Sequence, residues 1–176
     1  SYEVTALWNR CLGVTEKYEK HLITKSHISY EEFMAAINRY STERFTSVFN
    51  DAIALLNMLK LRNIQMGLAS SSKFEKINEA LLGNHIKPFF KQVFSGESLL
   101  SKPSPEIYLR TIEAMNADPN TTIIIEDSQN GIKAALDSKV YAVIAMEDTQ
   151  RHFIYINNPR VYVAKSLSEV INQIKM

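Results

Sequence analysis

Ser70, Lys102, Glu126 and Asp127 are the residues whose chemistry is hardest to assign to folding alone. Ser70-Ser71-Ser72 offers hydroxyls and, where a helix begins, free backbone amides, which together make a phosphate-sized acceptor. Lys102 stands in the Pro-constrained loop Lys102-Pro-Ser-Pro105, where a compact ammonium can neutralise a transferring phosphoryl group. Glu126-Asp127 places two hard carboxylates directly behind the apolar run Ile123-Ile-Ile125. That donor set suits Mg²⁺, which takes one or two protein carboxylates and completes its octahedron with waters and phosphate oxygens. A nucleophile is what the set lacks. An Asp-x-Asp pair, able to supply an attacking carboxylate and an acid/base, occurs nowhere among the 176 residues.

Each group also has a purely structural explanation. Serine is a favoured N-cap, adjacent acids at a strand end can form a solvated turn with Asp127 or Ser128 capping, and most lysines are surface charges. Position favours chemistry: all three groups fall at the ends of successive apolar runs. In an open α/β sheet, ligands bind beyond the carboxyl ends of the strands.

The elements that must position these residues read as follows. Residues from Tyr2 to about Phe49 have helical periodicity, with Val4, Leu7, Trp8 and Leu12 on one face and a capping-box pattern at Ser29-Tyr-Glu-Glu32. From Asn50 the texture changes to alternating helices and short apolar runs. Ile64 to Ala69, Lys91 to Ser95, Thr121 to Ile125, Val140 to Met146 and Arg160 to Val163 are the strand candidates. Helices are expected from Asn50, with Ile53, Leu56 and Leu59 on one face, from a Ser72-Lys-Phe-Glu75 capping box to Gly83, behind a Ser104 cap with Pro105 first, behind Ser128, and from Ser166. The sum is an α/β chain with a doubly wound, mostly parallel sheet over residues 49–176 and a small helical cap over 1–48.

Composition narrows the partners. With 45% hydrophobic residues the chain can bury a core, and a formal charge of +1 gives no broad field for nucleic acid or a membrane surface. No apolar run approaches the ~20 residues that span a bilayer. The single cysteine, Cys11, cannot form an internal disulfide and reads as a small hydrophobe in a cytoplasmic setting. His21, His27, His85 and His152 lack zinc-ligand spacing, and no Gly-x-Gly-x-x-Gly marks a dinucleotide site.

Taken together, Leu68-Ala-Ser-Ser-Ser-Lys73, Lys102-Pro-Ser-Pro-Glu-Ile-Tyr108 and Ile125-Glu-Asp-Ser-Gln-Asn-Gly131 resemble the second, third and fourth motifs of the haloacid dehalogenase-like superfamily, in its β-phosphoglucomutase-like subgroup. The resemblance implies a Rossmann-like core with an inserted cap and an aspartyl-phosphate mechanism on a small phosphorylated metabolite such as a sugar phosphate. It assigns Ser70, Ser71 and Lys102 to the phosphate, with Ser70 and Lys102 catalytic, and Glu126 and Asp127 to Mg²⁺. Cap residues Lys25, His27, Arg39 and Arg44 are polar enough to meet a substrate.

Departures from the family matter equally. Its first motif, which carries the nucleophile on the central strand, is absent, and Ser1-Tyr2 resembles the region about a dozen residues later. An empty central slot would leave buried amides and carbonyls unpaired at ~1–3 kcal/mol each. The physical remedies are a strand from another copy, a re-paired sheet, or a longer parent chain. Asn50-Asp51 replaces a usual Pro-Gly, and a non-glycine near Lys139 replaces a usual glycine where positive φ is needed. The resemblance and its departures imply two functions: a phosphatase or phosphomutase that is inactive without its first segment, or a non-catalytic phosphate- and metal-binding domain.

Overall fold

The computed structural model describes residues 3–5, 50–147, 153–154 and 157–174. Its strands are β1 (Glu3–Thr5), β2 (Met66–Ser70), β3 (Gln92–Ser95), β4 (Thr122–Glu126), β5 (Ala142–Met146) and β6 (Val161–Ala164). The helices are α1 (Asn50–Leu61), α2 (Phe74–Gly83), α3 (Glu106–Met115), α4 (Gln129–Asp137) and α5 (Leu167–Ile174). All strand pairs are parallel, in the order β3-β2-β1-β4-β5-β6. The parallel α/β sheet expected from the strand–helix alternation, and the Rossmann-like core that the resemblance implies, are therefore observed. No helix among the described residues is long and apolar enough to cross a membrane.

Burial explains which runs became central. Every residue of β2, β4 and β5 is buried, as strands covered on both faces must be, whereas β3 and β6 at the edges are partly exposed. Side chains alternate between two cores. Met66, Leu68, Ile123, Ile125 and Ile144 join α1, α2 and α5 on one face. Ala69, Ile124, Val143 and Ala145 join α3 and α4 on the other. Glu126 is two residues beyond Ile124, so strand alternation carries it to the α3/α4 face. Gly67 lies on that same face, and a Cβ there would overlap Met115 Sδ. Its lack of a side chain lets α3 lie close to β2.

Glu3–Thr5 corrects the expectation of a helix at the N-terminus. Val4 pairs with Met66 on one side and Ile123 on the other, so this short segment occupies the central position of the sheet. The nucleophile-bearing strand of the resemblance is absent from the sequence, and Glu-Val-Thr takes its slot. Backbone donors and acceptors of β2 and β4 outweigh a weak local helical preference, because leaving them unpaired inside the sheet is costly. Over these levels the sheet needs no strand from a second copy. The rest of the expected cap, with Lys25, His27, Arg39 and Arg44, lies outside the described residues.

Helix ends show smaller differences. Ser72 does not cap α2: the cap position is Lys73, without a side-chain bond, and the helix runs through Gly83 to Asn84. α3 begins one residue later than expected, after Pro105, while Ser104 Oγ accepts from Glu106 N at 3.4 Å. Ser128 caps α4 as expected, accepting from Gly131 N at 3.0 Å. Ser166 Oγ accepts from Glu169 N at 3.1 Å, but Glu169 returns its bond to Lys165 N, so the capping box is shifted. Asp51 accepts from Leu167 N at 3.2 Å, serving the start of α5 from a different helix. Lys139 adopts φ 58, the left-handed conformation expected to strain a non-glycine there.

Candidate active site

Ser70 ends β2 and is completely buried. Its Oγ accepts from Ser72 N at 3.2 Å, folding the turn that leads to α2, and its carbonyl accepts from Gly96 N at 2.7 Å. Ser95 Oγ donates to Ser72 O at 2.7 Å, tying the neighbouring strand end to the same turn. Ser71 is exposed on the rim. These bonds give the serine turn one defined shape before any ligand arrives.

Beyond β3 the chain crosses the rim and brings Lys102 to β4. Glu106 braces this loop, accepting from Leu100 N at 3.0 Å and from Arg110 at 3.0 and 3.1 Å. The Leu100 amide and then Arg110 hold the Glu106 carboxyl below the usual glutamate range. Lys102 Nζ forms a salt bridge with Glu126 Oε1, and the two side chains are 7% and 0% exposed. Its ammonium also lies 4.7 Å from the ring centroid of Tyr108. The Tyr108 hydroxyl donates to the same Oε1 at 2.7 Å.

The other Glu126 oxygen faces the start of α4. Oε2 accepts from Asp127 N at 2.8 Å, Ser128 N at 2.9 Å and Ser128 Oγ at 3.0 Å. The helix N-terminus adds favourable partial charge. Gly131 is required beneath it, since a Cβ there would overlap the Glu126 carboxylate. Burial alone would raise the Glu126 pKa, but the Lys102 charge and the hydrogen bonds from Lys102, Tyr108 and Ser128 bring it below its ordinary value. Tyr108 shows the converse: burial, then the Glu126 charge, pushes its hydroxyl well up, so it stays a neutral donor.

Asp127 is buried directly beyond β4. Because Val4 is paired with both Met66 and Ile123, Ser70 and Asp127 stand at the same level of the rim. One strand lies between them, a separation of about 10 Å between backbones from two strand spacings. The described part of β1 ends at Thr5, level with Gly67 and Ile124. The structure thus gathers Ser70, Lys102, Glu126 and Asp127 on one rim, with Lys102 in direct contact with Glu126.

Two parts of this constellation were not read as site residues from sequence. From sequence, Tyr108 stands only as the last residue of the Lys102–Tyr108 motif, and Ser128 only as a helix cap. The legible signal was a tyrosine at a core position six residues after Lys102, because a buried phenol needs a partner for its hydroxyl.

Donor chemistry tests the fit of Mg²⁺. Among the described residues no cluster of three or more His, Cys, Asp or Glu could hold a metal ion. Glu126 and Asp127 provide the hard carboxylate oxygens that Mg²⁺ uses, one or two at a time. Five donors already engage Glu126, so in this arrangement Asp127 is the better placed of the two.

Comparison with known proteins agrees with this architecture. A phosphorylated carbohydrates phosphatase from Thermotoga maritima is 25% identical over 148 residues, covering 78% of this chain and 68% of that protein. Hexitol phosphatase B from Escherichia coli is 29% identical over 115 residues, 65% of this chain, so the match spans about half, 48%, of that relative's length. The crystal structure of β-phosphoglucomutase from Clostridium difficile superimposes with a TM-score of 0.63 at 26% identity, over 86% of this chain and 69% of that one. The family model for haloacid dehalogenase-like hydrolases matches residues 9–145, and on that match, over a parallel sheet of the same kind, this chain belongs to the haloacid dehalogenase-like hydrolase family.

Proposed function

We propose that this chain carries the phosphate- and metal-binding half of a Mg²⁺-dependent phosphatase or phosphomutase acting on a small phosphorylated metabolite, a sugar phosphate in the first instance. The observation that carries the proposal is the buried Lys102–Glu126 pair on the same rim as Ser70 and Asp127. Folding does not require such a pair, because desolvating two charges offsets most of their attraction. The substrate class is suggested by relatives named as phosphatases of phosphorylated carbohydrates and of hexitols. A cytoplasmic setting is our reading from cysteine usage.

In this reading Ser70 and the serine-turn amides bind phosphoryl oxygens, and Lys102 offsets charge that grows on them during transfer. Glu126 holds Lys102 in place, and Asp127 with Glu126 provides the carboxylates for Mg²⁺. When bound, Mg²⁺ supplies charge neutralisation at the phosphoryl oxygens. No Asp-x-Asp is present to attack phosphorus, so the 176 residues bind but do not turn over.

Titration calorimetry with inorganic phosphate in Mg²⁺ buffer, alongside p-nitrophenyl phosphate hydrolysis, tests both halves. Saturable binding without hydrolysis is expected; absent binding removes the site, and Mg²⁺-dependent turnover removes the claim of inactivity. A second reading, a non-catalytic regulatory domain, is favoured by one observation: Glu3–Thr5 already fills the slot assigned to the nucleophile's strand. Codons preceding Ser1 discriminate the two, since an in-frame Asp-x-Asp-Gly there supports the enzyme and a stop supports the regulatory domain.

A further inference from the structure

Tyr108 combines two properties that packing alone does not join. Its side chain is fully buried in the core beneath α3, alongside Ile107, Ile112 and Ile132. A phenylalanine would fill that volume equally well, so the hydroxyl is the part left to explain. That hydroxyl donates to Glu126 Oε1 at 2.7 Å, and the ring face lies 4.7 Å from Lys102 Nζ. One residue of the core therefore touches both members of the buried ion pair.

Consider what each contact constrains. Glu126 Oε2 is held by three donors at the start of α4, which fixes one end of the carboxylate. Rotation about that end is resisted by the donors on Oε1, namely Lys102 and Tyr108. Lys102 is the flexible member, a four-carbon stem with three rotatable donors that must keep one orientation to meet an anion. Tyr108 is the rigid member, fully buried and held by α3 and the core around it.

We propose that Tyr108 is a positioning residue for oxyanion binding. Its hydroxyl fixes the Glu126 carboxylate and its ring supports the Lys102 ammonium, so that Lys102 is oriented before a phosphoryl group arrives. The proposal rests on the phosphoryl-site reading above and adds a residue that none of the resembling motifs assigns a role.

Tyr108→Phe keeps the ring and removes the hydroxyl. Thr111→Val is its control, since Thr111 is also fully buried on α3 and its hydroxyl donates within the helix, to Ile107 O at 2.7 Å. Two measurements are compared in the 176-residue chain: calorimetric affinity for inorganic phosphate in Mg²⁺ buffer, and the ¹⁵N-detected ammonium signal of Lys102, assigned by its loss in Lys102→Met. Tyr108→Phe is expected to weaken phosphate binding about tenfold, the scale of one lost hydrogen bond to a charged group, and to broaden the Lys102 signal. Thr111→Val is expected to lower the melting temperature similarly while leaving both readouts at wild-type values. If Tyr108→Phe matches Thr111→Val in affinity and signal, Tyr108 is a core residue only and the proposal falls. If wild-type protein binds no phosphate yet the Lys102 signal is lost in Tyr108→Phe, the phosphoryl reading falls and the positioning of Lys102 stands.

Discussion

The two rims of the sheet both bury polar groups, but they use them differently. At the amino-terminal rim the helices end, and their loose carbonyls are closed locally. Asn63, His85, Asn116 and Lys139 each turn the chain with positive φ after a helix. Ile64 N, Ile86 N and Ala117 N reach back five residues to Leu59 O, Leu81 O and Ile112 O, as Schellman turns do. The cations there serve the backbone: Lys91 donates to Met115 O at 2.9 Å, and Arg160 to Val140 O and Leu136 O at 3.1 Å each. At the carboxyl rim, by contrast, Lys102 meets a buried carboxylate that is itself held by Tyr108 and the start of α4. Closing helix ends is what any fold must do. Burying an ion pair is not, and violations of that kind concentrate where a protein binds or reacts.

The largest expected break in this contrast is Lys102→Met. It leaves the Glu126 carboxylate buried without its counter-ion, at about 3–5 kcal/mol. The pH dependence should also change sign. In the wild-type protein Glu126 is held below its ordinary value, so the folded state binds fewer protons, and stability present above about pH 4.3 is lost as pH falls further. Without Lys102, burial dominates and raises Glu126, so the folded state takes up a proton first and acidification stabilises the variant relative to wild type. Urea unfolding across pH in metal-free buffer measures this, and parallel profiles for the two proteins would show the pair to be inert.

Two glycines give the next contrast. Gly131→Ala drives a Cβ into the Glu126 carboxylate and is expected to cost about 1–3 kcal/mol while weakening phosphate binding. Gly83→Ala, at the end of α2, meets nothing within 4 Å and should gain about 0.4–1 kcal/mol without touching binding. Equal effects in thermal unfolding and calorimetry would erase the distinction between rims. An effect of the same small size is expected for Lys139→Gly, which relieves φ 58 and should stabilise the chain by about 0.5–1 kcal/mol after the added chain entropy of glycine. An unchanged melting temperature would mean the turn carries no strain.

How much was legible follows from which signals are local. The runs at Met66–Ser70, Thr122–Glu126 and Ala142–Met146 announce themselves because a strand buried on both faces must be apolar throughout. Ser128 as a cap and the positive φ near Lys139 are likewise properties of a few adjacent residues. Ser72 as a cap was not, because Ser70 Oγ two residues back takes the Ser72 amide, and Ser95 Oγ, which only the packing of the neighbouring strand brings close, donates to the Ser72 carbonyl. Glu3–Thr5 has too few residues for a period of two to show, and its conformation is decided by unpaired groups on β2 and β4.

By itself, then, the amino-acid order determined an alternating α/β chain, a parallel sheet and a rim at which Ser70, Lys102, Glu126 and Asp127 collect, because periodicity and strand ends are short-range features. Only tertiary structure decided that Lys102 spends its charge on Glu126, that Tyr108 from 18 residues away anchors the same oxygen, and that a three-residue segment completes the sheet. Those outcomes depend on which groups burial forces to share a partner, and that choice exists only once distant segments are packed together.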